Sequence, residues 1–156
     1  MLTLVTGELD PAGADVEQEW SLALQAGEIA AAIRAEATPD DLVVYCPDQL
    51  GPATDRLLPD ELDGMTYPAG GDPRFVDWVD YAEGVEAADS EAFADAAIAR
   101  AGAGDIWYVW SDGYRTVEGR CAEVVNALTA RRPARTVVVA SGPQFEHGWL
   151  ERYAAP

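Results

Sequence analysis

The chain has 156 residues, 49% of them hydrophobic, and a formal charge of −18. That is long enough for one domain with a buried core and too apolar for a disordered tail. The charge excludes polyanionic partners, because nucleic acid and anionic lipid surfaces repel such a chain rather than steer it in.

Residues 1–14 are expected to form a tail or an edge strand, with Leu2–Val5 as the extended part and Pro11 and Gly13 in a turn. Asp15 then caps a helix expected to reach about Ala37, with Gln18 at the capping-box position. Leu22, Ala26, Ile29 and Ile33 give that helix an inward face, and Pro39 ends it. Asp41–Cys46 (DLVVYC) is an apolar run bounded by prolines, the pattern of a strand covered on both faces. PDQLGP, Pro47–Pro52, is a rigid loop at its carboxyl end. A short helix over Ala53–Leu58, a short strand over Gly64–Tyr67 and a glycine- and proline-rich loop to Pro73 follow. Arg74–Tyr81 is expected to be helical. Asp89 or Ser90 starts a further helix through Phe93, Ala97 and Ala101, closed by the turn Gly102–Gly104.

The stretch Asp105–Leu128 organises the rest. Ile106–Trp110 reads as a buried strand, Ser111–Arg115 as a polar turn, and the helix beyond carries Val117, Cys121, Val124 and Leu128 on one apolar stripe. Arg135–Ala140 is a final strand and Glu146–Tyr153 is expected to form a terminal helix. Trp78, Tyr81, Trp107 and Trp110 are assigned to the core. The alternation predicts a single three-layer α/β/α domain over residues 1–156, with a mostly parallel sheet of about four to five strands. No stretch approaches the ~20 apolar residues that span a bilayer.

In parallel sheets ligands collect at the carboxyl ends of strands. Asp48, Gln49, Ser111, Asp112, Tyr114 and Arg115 all follow such ends, and together they form a candidate binding crevice suited to a sugar. Their acceptors would take hydroxyls, and Arg115, beside the next helix N-terminus, would hold a phosphate. The plainer alternative has Asp48 and Asp112 satisfying turns, with Arg115 paired to one of them. The acidic sets Asp60, Glu61, Asp63 and Asp77, Asp80, Glu83 match no calcium-loop spacing and read as solvated surface. No catalytic, metal or cofactor signature appears, so no catalytic residue, metal or cofactor is assigned to this chain.

Cys46 ends one strand and Cys121 lies in the first turns of the helix after another, so the two meet if those strands are neighbours. Bridging them would stabilise by ~4 kcal/mol on chain-entropy grounds. The alternative is two reduced cysteines buried as small apolar residues. A third reading, Cys46 as a nucleophile with His147 as its base, has nothing that places the pair together.

The runs QAGEIAAAI (Gln25–Ile33), VVYCPDQLGP (Val43–Pro52), VDWVDYAE (Val76–Glu83) and WYVWSDGYRT followed by Cys121 resemble one family. It is the C-terminal extracytoplasmic domain of actinobacterial multi-pass membrane glycosyltransferases, similar to protein mannosyltransferases that use polyprenyl-phosphate sugars. The resemblance covers about Gln25–Leu128, and residues before Gln25 do not share it. It implies a module outside the cytoplasmic membrane, which favours the Cys46–Cys121 bridge. It also implies that catalysis belongs to an acidic loop of the membrane part, which has no counterpart here. The expected partners are that membrane-embedded portion of the same polypeptide and a glycan or lipid-linked sugar, with no nucleic acid and a monomer in isolation. Cytoplasmic placement is the alternative localisation. The competing functions are a small stand-alone enzyme acting on a sugar phosphate or nucleotide, with Asp112 as acid or base and Arg115 as anion anchor, and a purely structural docking domain.

Overall fold

The computed structural model describes residues 25–142 and 148–156. Five strands among them form one sheet: β1 (Leu42–Cys46), β2 (Asp63–Thr66), β3 (Ile106–Ser111), β4 (Arg135–Val139) and β5 (Gly148–Tyr153), in the order β2-β1-β3-β5-β4. β1 runs parallel to β2 and β3, whereas β5 is antiparallel to both β3 and β4. Four of the five strands therefore share one direction. The helices are α1 over residues 25–36, α2 (Gly51–Asp55), α3 (Tyr81–Ala87), α4 (Ser90–Ala101) and α5 (Arg120–Arg131).

Every residue of β1 and β3 is buried, as their unbroken apolar runs require. Alternate side chains serve opposite faces. Leu42, Val44, Ile106 and Tyr108 pack on Phe93 and Ala97 of α4 and on Val124 and Leu128 of α5. Val43, Tyr45, Trp107 and Val109 pack on Ile29 and Ile33 of α1 with Leu150 of β5. The three-layer α/β/α architecture thus follows from two strands that need cover on both sides.

Polar anchors fix the amino edge of the sheet. The buried Asp41 carboxylate accepts from the Thr38 N–H and hydroxyl, the Asp105 N–H and Trp107 Nε1, joining β1 to β3. Those hydrogen bonds, led by Trp107, hold its pKa below the ordinary carboxylate value although burial opposes them. Asp89 caps α4 by accepting from the N–H groups of Glu91 and Ala92, worth ~1 kcal/mol. Gly102 ends α4 with φ of 54°. Arg132, only 2% exposed, reaches back from the end of α5 to donate to the carbonyls of Gly104 and Gly102 at 2.6 and 2.9 Å. Gly104 has no alternative, because a Cβ there would meet Asp40 O at 1.9 Å.

Two expected helices are absent where they were placed. The terminal segment expected as a helix is β5, a strand inserted antiparallel between β3 and β4. Its six residues are too few for a stable helix of their own, and pairing on both sides satisfies their backbone. Arg74–Tyr81 is not helical up to Asp80, and α3 begins only at Tyr81. Side-chain oxygens of Asp72 and Asp77 accept from the N–H groups of Arg74 and Val79, offering the backbone local turns in place of a helix. Trp78, assigned to the core, is 68% exposed. The expectations for residues 1–14, for the start of the first helix and for His147 lie outside the described residues.

Candidate functional site at the carboxyl edge

The disulfide forms. Cys46 and Cys121 are joined, with Cα atoms 5.6 Å apart across a sequence separation of 75. Parallel pairing of β1 with β3 is what brings them together: Cys46 ends β1 opposite Trp110, and Cys121 lies in the first turn of the helix that β3 feeds. Both are fully buried. The bridge therefore ties the carboxyl ends of the two central strands on the α4/α5 side.

Around that edge the six crevice residues do not share one concavity. Gln49 and Tyr114 line a narrow recess of ≈ 110 Å³ with Ile29 and Val109. Arg115 opens on a shallow depression beside Glu86 and Arg120. Ser111 is fully buried and its Oγ accepts from the Gly113 N–H at 3.3 Å, so it closes its own turn. Asp112 is exposed and lines neither of these. Asp48 alone of the six reaches the floor of a larger cleft, ≈ 480 Å³.

That cleft is built by the turns that leave the parallel strands β1 and β2 at the same edge and by the stretch 73–80. Pro47, in a cis peptide bond, turns the chain out of β1 into the 3-10 turn Asp48–Leu50. Beyond β2, Gly70 N donates to Thr66 O at 2.6 Å and folds Pro68 and Ala69 into a second wall. The third wall is the segment 73–80, fixed at its start because Pro73 packs on Gly51 so closely that a Cβ would fall 2.3 Å from Pro73 O. Phe75, Trp78 and Val79 on this segment are 72%, 68% and 76% exposed, three of the large apolar side chains that the described fold leaves in solvent.

Asp48 is 5% exposed, and its Oδ1 has no hydrogen-bond partner. Burial raises its pKa above the ordinary carboxylate value; the Tyr81 hydroxyl and the N–H groups of Asp77 and Gln49 oppose that rise. The Tyr81 hydroxyl lies 3.2 Å from Gln49 Oε1. Its own pKa is pushed up, first by burial and then by the Asp48 carboxylate. A half-satisfied carboxylate beneath an apolar rim can accept a hydroxyl hydrogen from a ligand that also offers an apolar face.

The neighbouring acidic groups are accounted for within the fold. Asp63 is held by a forked pair of hydrogen bonds from Arg100 at 2.6 Å, and Asp72 by Arg74. Among the described residues no group of three or more His, Cys, Asp or Glu side chains could hold a metal ion, and no helix is long and apolar enough to cross a membrane. Sequence reasoning missed Phe75, Val79 and Tyr81 as site residues because it expects a helix over Arg74–Tyr81, and Thr66 because it reads only as part of a short strand. Comparison with protein-family models, with curated proteins and with solved structures finds no match.

Proposed function

We propose that this chain is a non-catalytic, extracytoplasmic accessory module of an envelope membrane glycosyltransferase, contacting its glycan or acceptor. The observation that carries the reading is the buried Cys46–Cys121 bridge at the edge where ligands are expected. Disulfides of this kind persist in oxidising compartments and are rare in the cytosol. The blocks VVYCPDQLGP and WYVWSDGYRT, which carry the resemblance to such modules, are the two that bring the cysteines together. In this reading the partner is the membrane-embedded portion of the same polypeptide, and the acidic surface keeps copies of the module apart.

The stand-alone enzyme, with Asp112 as acid or base and Arg115 as anion anchor, draws less support. It needs both groups in one concave site with Asp48, and Arg115 opens on a different one. A docking domain is a second reading, favoured by the exposed Phe75, Trp78 and Val79. An antibody against the chain separates these possibilities in the source cells. The accessory-module reading predicts a membrane-retained polypeptide much larger than 16.7 kDa, whose epitope is destroyed by protease added outside intact spheroplasts. A freely released cytosolic species of about the chain's own mass would overturn it.

A further inference from the structure

The floor of the Asp48 cleft holds a carboxylate oxygen that is buried and unpartnered, and a buried acceptor left unmade costs the fold stability. A hydroxyl donor supplies what that oxygen lacks; the Thr66 hydroxyl on the same lining already donates to Gly71 O at 3.4 Å. The rim supplies the complementary part: Phe75, Val79 and Tyr81 line the cleft, offering apolar surface to the C–H face of a pyranose.

Charge decides between ligands of similar size. The lining contains Asp48, Asp72, Asp77 and Asp80 and no basic residue. A phosphorylated sugar or nucleotide would meet the carboxylates of Asp48, Asp77 and Asp80 with no basic residue on the lining to offset them. Arg74, next to the cleft, is already engaged with Asp72 through two hydrogen bonds. A neutral polyol meets no such penalty.

We propose that the cleft over Asp48 binds an uncharged saccharide unit, with Asp48 accepting its hydroxyls and Phe75 and Val79 covering its apolar face. This rests on the accessory-module reading for its biological setting, but the site is a property of the chain alone. The test uses the purified 156-residue chain on an array of neutral, phosphorylated and amino-sugar glycans, with hits titrated by ¹⁵N chemical-shift NMR.

Neutral glycans bind in preference, Asp48→Asn weakens the best of them at least tenfold, and Arg115→Ala leaves it unchanged. Phe75→Ser and Val79→Ser lie at exposed positions where folding does not depend on the side chain, and each weakens binding several-fold. Preference for phosphorylated or amino sugars, a hit indifferent to Asp48→Asn and the rim variants, or no neutral hit at all overturns the proposal. Any of these can occur while the protease result still places the module outside the membrane, so the two readings fail separately.

Discussion

Replacing Asp48 by asparagine tests whether the cleft floor is a liability to the fold that a ligand relieves. Asparagine keeps the shape and one oxygen for the Tyr81 hydroxyl and the Asp77 N–H, but removes the buried charge. Partial desolvation of a carboxylate with one oxygen unpaired places the gain at about 1 kcal/mol near pH 7. For a chain of this length that is a rise in Tm of about 2–4 °C. The sign with pH follows from the raised folded-state pKa. The wild-type penalty is full above that value, shrinks as pH falls through it, and is gone below the unfolded value of 3.8. Differential scanning calorimetry of wild type and Asp48→Asn between pH 4 and 8 should show the variant's advantage fading on acidification. A variant less stable than wild type throughout, or an advantage independent of pH, would refute the reasoning. The predicted pairing of higher stability with lost saccharide affinity is the mark of a functional residue held at the fold's expense.

Removing the bridge with Cys46→Ser and Cys121→Ser together should lower stability by about 4 kcal/mol in urea unfolding, given the separation of 75; a loss under about 1 kcal/mol would mean that the bridge constrains little. Asp41→Asn should cost about 1–3 kcal/mol at pH 7 by disturbing a carboxylate with four donors around it. Because the Asp41 pKa is lowered in the fold, its contribution is present above the unfolded value of 3.8 and lost as pH falls through the folded value. The variant's acid unfolding limb should therefore be shallower than the wild type's. Arg132→Met should destabilise by about 1–3 kcal/mol by stranding the carbonyls of Gly102 and Gly104, with Arg132→Lys restoring only part because it lacks the planar fork.

What the sequence discloses is set by which physical signal is local. β1 and β3 are legible because strands covered on both faces need unbroken apolar runs, and Asp89 before α4 announces its cap. The bridge is half legible: each cysteine's place at the carboxyl edge follows from its element, whereas their meeting depends on β1 and β3 being neighbours, a fact of strand order. β5 is misread because GWLERY is too short to declare a period, and its conformation is decided by the two partners it joins. The 73–80 segment is misread for the opposite reason. Its apolar spacing imitates a helix, while Asp72 and Asp77 divert the backbone hydrogen bonds that a helix needs. That misreading hides the cleft, since it assigns Trp78 and Tyr81 to the core.

The account's central claim, that this edge faces an oxidising exterior, is tested most directly by trapping thiols in the living source cells. A membrane-permeant alkylating agent is added before lysis and the peptides containing Cys46 and Cys121 are weighed before and after reduction. The account predicts that neither cysteine is alkylated and that the two peptides run as one cross-linked species until reductant is added. Two alkylated, separate peptides would contradict it.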